Sequence, residues 1–71
     1  DIKSRKQRLN IAIGELPEEY RIVICLIILS GLSYAETAQT LDIPIGTVMS
    51  RVSRARKKLV VLLQEAEEGP K

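Results

Sequence analysis

Between Ile45 and Leu59 stand Arg51, Arg54, Arg56, Lys57 and Lys58, five of the chain's eleven basic residues, with no acid among them. Cations gathered on one short stretch point to a polyanion, and the mixture of arginine with serine points to more than charge. An arginine fork matches the O6 and N7 edge of guanine, a serine hydroxyl serves as donor or acceptor, and lysines neutralise phosphates. On a helical wheel Val48, Val52, Ala55 and Leu59 form one stripe, continued by Leu62, Leu63 and Ala66. That stripe is the predicted buried face. Ser50, Ser53, Arg54 and Lys57 point away from it, with Arg51 and Lys58 on one flank and Met49 and Arg56 on the other. The spacing therefore predicts a DNA-facing helix. Pro44 cannot continue an earlier helix, Gly46 permits an unusual backbone angle, and the Thr47 hydroxyl is expected to cap the first-turn amides.

Composition limits what else the chain can be. Its 71 residues make one small domain, which buries roughly 60% of its unfolded surface. Asp1 opens within a charged stretch and without an initiator methionine, so residues 1–71 are expected to be a single domain taken from a longer protein. A net charge of +2 is too small to argue for nucleic acid, which leaves the argument to the placement of the charges. Lys3, Arg5, Lys6 and Arg8 cluster early, where they read as a solvated face or as a further DNA contact, and Glu65, Glu67 and Glu68 stand near the end. Cys25 is the only cysteine, so an internal disulfide is impossible, and its apolar surroundings favour a core residue over a reactive thiol. With no histidine and no cysteine pair, the usual zinc sites and histidine-based catalysis are out of reach. Neither an enzyme nor a cofactor is expected. The longest apolar run, Ile22 to Leu29, is too short to span a bilayer, and no signal peptide precedes it. A cytoplasmic location without membrane insertion is the expectation.

The elements that must position the basic stretch follow from punctuation and periodicity. The expected fold is all-α, four helices at about 2–14, 17–30, 33–41 and 46–67. Ile2, Leu9, Ala12 and Ile13 give the first helix an inner face and Gly14 ends it. Pro17 suits the first position of the second, with Glu18 and Glu19 complementing its positive end. The β-branched run from Ile22 to Leu29 would also suit a buried strand, but such a strand would have no partner, so a helix is predicted. Four short helices cannot cover it on every side. Ile24, Ile27 and Ile28, with Val60 and Val61 on the last helix, are therefore candidates for a protein-facing surface; the alternative is a plain core helix and a frayed end. Ser30-Gly31-Leu32 is a break, and Ser33 with Glu36 is the pattern of a capping box. Ala35, Ala38 and Leu41 are the expected inner face of the third helix. A short alanine-bearing helix, a tight turn at Asp42-Ile43-Pro44-Ile45 and a basic helix make the arithmetic of a helix-turn-helix. Asp42 tolerates the left-handed conformation that many such turns assign to glycine.

Taken together, Leu16-Pro17, Arg21, the segment Gly31 to Ala38, Gly46-Thr47-Val48, Ser50-Arg51 and Arg54-Ala55-Arg56 resemble region 4 of bacterial sigma factors, especially the extracytoplasmic-function group. The likeness covers about residues 10–63. It implies a domain that binds the minus-35 element of double-stranded promoter DNA, with RNA polymerase core holding it through the flap and an anti-sigma factor as regulator. By position, Ser50, Ser53 and Arg54 fall where such domains approach bases, while Thr47, Arg51 and Arg56 suit phosphates. Lys57 and Lys58 extend the positive face. For Arg51 a salt bridge is the competing role. Met49 stands where the family often carries a basic residue, and Thr37 where it carries an aliphatic one. Arg21 and Glu36 match a pair that clamps the second helix to the third, which for Glu36 competes with the cap.

Two other functions fit parts of the pattern. A response-regulator effector domain shares the helix-turn-helix but usually lacks the run Arg54-Ala55-Arg56. A sigma-like decoy would keep the fold, capture anti-sigma factors and leave DNA unread.

Overall fold

The computed structural model describes the backbone of residues 2–67 and the side chains of residues 6–65. Its helices are α1 (Ile2–Gly14), α2 (Glu18–Ile24), α3 (Tyr34–Leu41) and α4 (Ile45–Glu67), with α2 running directly into a π-helical turn at Cys25–Leu29. The expected all-α, four-helix architecture is the observed one. Ile2 and Ala66, assigned inward positions from the sequence, have side chains outside the described residues.

α4 is the element against which α1, α2 and α3 all pack. Val48, Val52, Ala55 and Leu59 are buried along one stripe, as their spacing predicts, and Leu62 and Leu63 continue it half-buried. Facing them are Ala12 and Ile13 of α1, Leu16 from the following turn, Val23 and Ile24 of α2, and Ala38 of α3. The buried hydrophobic side chains are aliphatic, and α1, α2, α3 and α4 each contribute some of them. Truncating one as central as Ile24 to alanine costs about 2–5 kcal/mol, a large share of what a domain this small has.

The second helix resolves the strand-or-helix ambiguity through its partners. Val23 and Ile24 are sealed while Ile22, Ile28 and Leu29 remain exposed, so a continuous apolar run is used with helical sidedness. Pro17 is its N-cap rather than its first helical residue, and its carbonyl accepts the amides of Tyr20 and Arg21 at 3.0 and 2.9 Å. The far end departs from the α-helix: the Ser30 amide reaches back five residues to the Cys25 carbonyl at 3.0 Å. Gly31, at φ 74°, then turns the chain, and the Leu32 amide closes on the Leu26 carbonyl.

Both predicted signals around α3 are present. Ser33 Oγ accepts from the Glu36 amide at 3.0 Å, and Glu36 Oε1 accepts from the Ser33 amide at 2.9 Å. Asp42 takes the left-handed conformation at φ 56°, ψ 49°. Around it the Ile43 amide donates to Ala38 and the Asp42 amide to Gln39, the two bonds of a Schellman closure. The inner face of α3 needs one correction. Ala35 is exposed, and the buried pair is Thr37 and Ala38, because residues three and four apart from Tyr34 and Leu41 share a face. Thr37 is fully buried without an orphaned hydroxyl, since Oγ1 donates to the Ser33 carbonyl at 2.8 Å.

Candidate nucleic-acid interface

Burial of the α4 stripe fixes what the rest of that helix presents. Ser50, Ser53, Arg54 and Lys57 lie opposite the buried stripe and are exposed, as are Met49, Arg56 and Lys58 on the flanks. Ser50 to Lys57 is two turns, about 10 Å of rise, which suits a major groove about 12 Å wide. No acid stands in the first turn of α4. Glu65, the first acid in the helix, comes after Lys57 and Lys58. The exposed face between them is uniformly neutral or positive.

The start of α4 differs from the expectation in two respects. The helix begins at Ile45, and the Pro44 carbonyl accepts the amides of Thr47 and Val48 at 3.0 and 3.3 Å. Thr47 is thus a half-buried residue of the first turn and not a cap. Gly46 is helical, not at positive φ, and a side chain there would meet nothing within 4 Å. Among the described residues the amides of Ile45 and Gly46 have no acceptor, so the positive end of the helix stays open to an anion.

Arg51 is turned toward α2. Its guanidinium lies 3.7 Å from Glu19 Oε2, and the two side chains are 30% and 55% exposed. The pair borders a polar cleft between the starts of α2 and α4, lined also by Tyr20, Thr47, Ser50 and Arg54. The salt-bridge alternative for Arg51 is the arrangement observed, and Glu19 is the partner that sequence reasoning did not identify. Its place two residues after Pro17 had an adequate explanation in the helix dipole, and only the packing of α2 on α4 brings it to Arg51. The expected Arg21–Glu36 clamp is not formed among the described residues. Glu36 is committed to its cap, and the hydrogen bond from the Ser33 amide holds its carboxyl below the ordinary 4.5.

The protein-facing candidates separate. Ile24 is 1% exposed and belongs to the core, which corrects its assignment to a surface: it lies on the α2 side that meets α4. Ile27 is half-buried against that core, whereas Ile28, Val60 and Val61 are about half exposed. Leu29, the last residue of the apolar run that the sequence leaves partly uncovered, is also exposed, as is Ile11, which was not singled out from the sequence. Val61 and Leu62 join Leu16 and Pro17 in a hollow of about 340 Å³, with Glu15, Lys57 and Lys58 at its edges. No metal-binding cluster of histidine, cysteine or acid occurs among the described residues. No described helix is long and apolar enough to cross a membrane.

Comparison with known proteins gives this geometry a setting. The family model described as "Sigma-70, region 4" matches residues 6–59. The chain is 51% identical over 47 residues to the ECF RNA polymerase sigma-E factor of Escherichia coli (strain K12), covering 66% of this chain and 25% of that protein. The sigma-E factor of Salmonella typhimurium (strain LT2) is similar to the same extent. The ECF RNA polymerase sigma factor SigE of Mycolicibacterium smegmatis is 43% identical over 51 residues, 72% of this chain and 20% of that protein. The chain thus spans a quarter or less of the length of these relatives.

Proposed function

The chain belongs to the sigma-70 region 4 family, in its extracytoplasmic-function group, and from that membership we propose that it recognises the minus-35 promoter element and so directs RNA polymerase to initiate transcription. The observation that carries the proposal is the acid-free, exposed face of α4 that begins at unpaired helix amides. Arg54, Ser50 and Ser53 meet base edges, with Met49 beside them. Thr47, Arg51, Arg56, Lys57 and Lys58 engage the phosphate backbone. The relatives named RNA polymerase sigma factors support polymerase core as the partner that holds the domain in place, and the resemblance to region 4 adds the flap as its point of contact. Exposed Ile28, Val60 and Val61 are the surface offered to the flap or to an anti-sigma factor.

The roles of arginine and lysine are separable. Arg54→Ala is expected to cost about 1–3 kcal/mol of specific binding and to relax discrimination at one base pair. Lys57→Ala is expected to weaken all duplexes equally and to reduce the salt slope by about one unit. Salt-titrated binding to promoter and scrambled duplexes reads both. Equal losses on the two duplexes for Arg54→Ala would remove its base-reading role. A decoy that captures anti-sigma factors is the second reading, favoured by apolar Met49 at the groove-facing flank and by the exposed valines.

A further inference from the structure

Arg51 differs from the other cations of α4. Among the described residues Arg54, Arg56, Lys57 and Lys58 have no carboxylate within ion-pair distance, whereas Arg51 is held by Glu19 from a different helix. The separation of 3.7 Å is too long for a hydrogen bond, so the contact is an attraction between charges that a competing anion can displace. Both groups border the cleft at the start of α4, next to Thr47 and Ser50, on the side where the helix leaves its first amides open. An anion arriving there meets Arg51 already engaged.

Resting on the DNA-binding reading above, we propose that Glu19 is a positioning residue that restrains Arg51, so that the α2–α4 ion pair sets how strongly the interface grips the phosphate backbone while leaving its sequence preference alone. A phosphate that takes Arg51 must displace a carboxylate which itself stays close to the phosphate path. Each part of that competition is indifferent to base identity. Glu19 therefore acts as a brake on affinity, and its removal lets Arg51 engage the backbone without that competition.

The test is salt-titrated binding of promoter and scrambled duplexes by the chain and by Glu19→Gln, Arg51→Ala, the double variant and Glu18→Gln. Glu18 lies in the same turn of α2 and controls for a simple change of net charge. Glu19→Gln is expected to tighten both duplexes by the same factor, about two- to fivefold, and to steepen the salt dependence by up to about one unit. Glu18→Gln should give a smaller gain, and Arg51→Ala should abolish the gain from Glu19→Gln. Thermal melts establish that each variant is folded. A gain that persists without Arg51, a gain matched by Glu18→Gln, or a loss of affinity in Glu19→Gln would each overturn the inference. If promoter preference is intact in the wild-type chain and only the Arg51-dependent gain is missing, the inference alone fails. If no variant distinguishes promoter from scrambled duplex, the DNA-reading function fails and the inference falls with it.

Discussion

Met49 brings an apolar thioether, 52% exposed, to a face otherwise built of hydroxyls and cations. Its position beside Ser50 and Ser53 gives the substitution Met49→Arg a definite expectation. A new charged donor at the groove flank should raise promoter affinity by about 1 kcal/mol or more. If Met49 instead packs on a thymine methyl, the preferred sequence changes rather than the strength, and selection from randomised duplexes distinguishes the two. No change in either would mean that this flank never meets bases. Thr37 illustrates the opposite case, a polar residue with a wholly internal role. Thr37→Val should leave stability within about 1 kcal/mol, measured by denaturant unfolding, because the Ser33 carbonyl keeps the Thr37 amide as its donor at 2.9 Å. At this scale the sequence disclosed chemical character better than partners. Residue types and helical spacing made the exposed cations of α4 legible, since both properties are local. The Glu19–Arg51 pair and the burial of Ile24 and Thr37 depend on how helices meet.

The helices are bounded by local devices, and one of them titrates. Ser33→Ala is expected to destabilise the domain by about 0.5–2 kcal/mol, seen as a fall of several degrees in Tm. The Glu36 half of the same box predicts a pH dependence. Its carboxyl is held below the ordinary 4.5 in the folded chain by its hydrogen bonds to Ser33, so the contribution of the ionised cap is complete above that value. It is lost as pH falls below 4.5 and through the folded value. Melting curves across the acid range should therefore be shallower for Glu36→Gln than for the wild-type chain; parallel curves would assign the acid sensitivity elsewhere. Capping boxes and left-handed turns were legible because a few adjacent residues determine them, as at Ser33–Glu36 and Asp42. The π turn at Cys25–Leu29 was not. An uninterrupted apolar run carries no periodicity from which a widened turn could be read. Gly46 failed for a related reason: glycine tolerates many conformations, and here the first turn of α4 simply continues through it.

As a whole molecule, the domain turns a cationic face outward on α4 and leaves aliphatic residues uncovered at the π turn and near the end of α4. Val61 is the clearest probe of the second surface, since it is 52% exposed and lies at the edge of the hollow formed with Leu16 and Pro17. Val61→Lys should leave thermal stability nearly unchanged while weakening capture by the cognate anti-sigma factor or the polymerase flap. A stable variant with undiminished capture of both would remove Val61 from that surface. The architecture was legible at this scale because α4 carries both a regular buried stripe and an acid-free exposed face, whereas the excess of apolar residues announced a surface without saying which of them would stay outside. Promoter reading is measured most directly by selection from randomised duplexes by the chain joined to polymerase, where tethering raises its effective concentration. The expected result is one enriched minus-35 motif whose preference relaxes at a single position in Arg54→Ala. An absence of any enriched motif, from a folded chain that still binds the anti-sigma factor tightly, would contradict promoter reading and leave the protein-capturing decoy in its place.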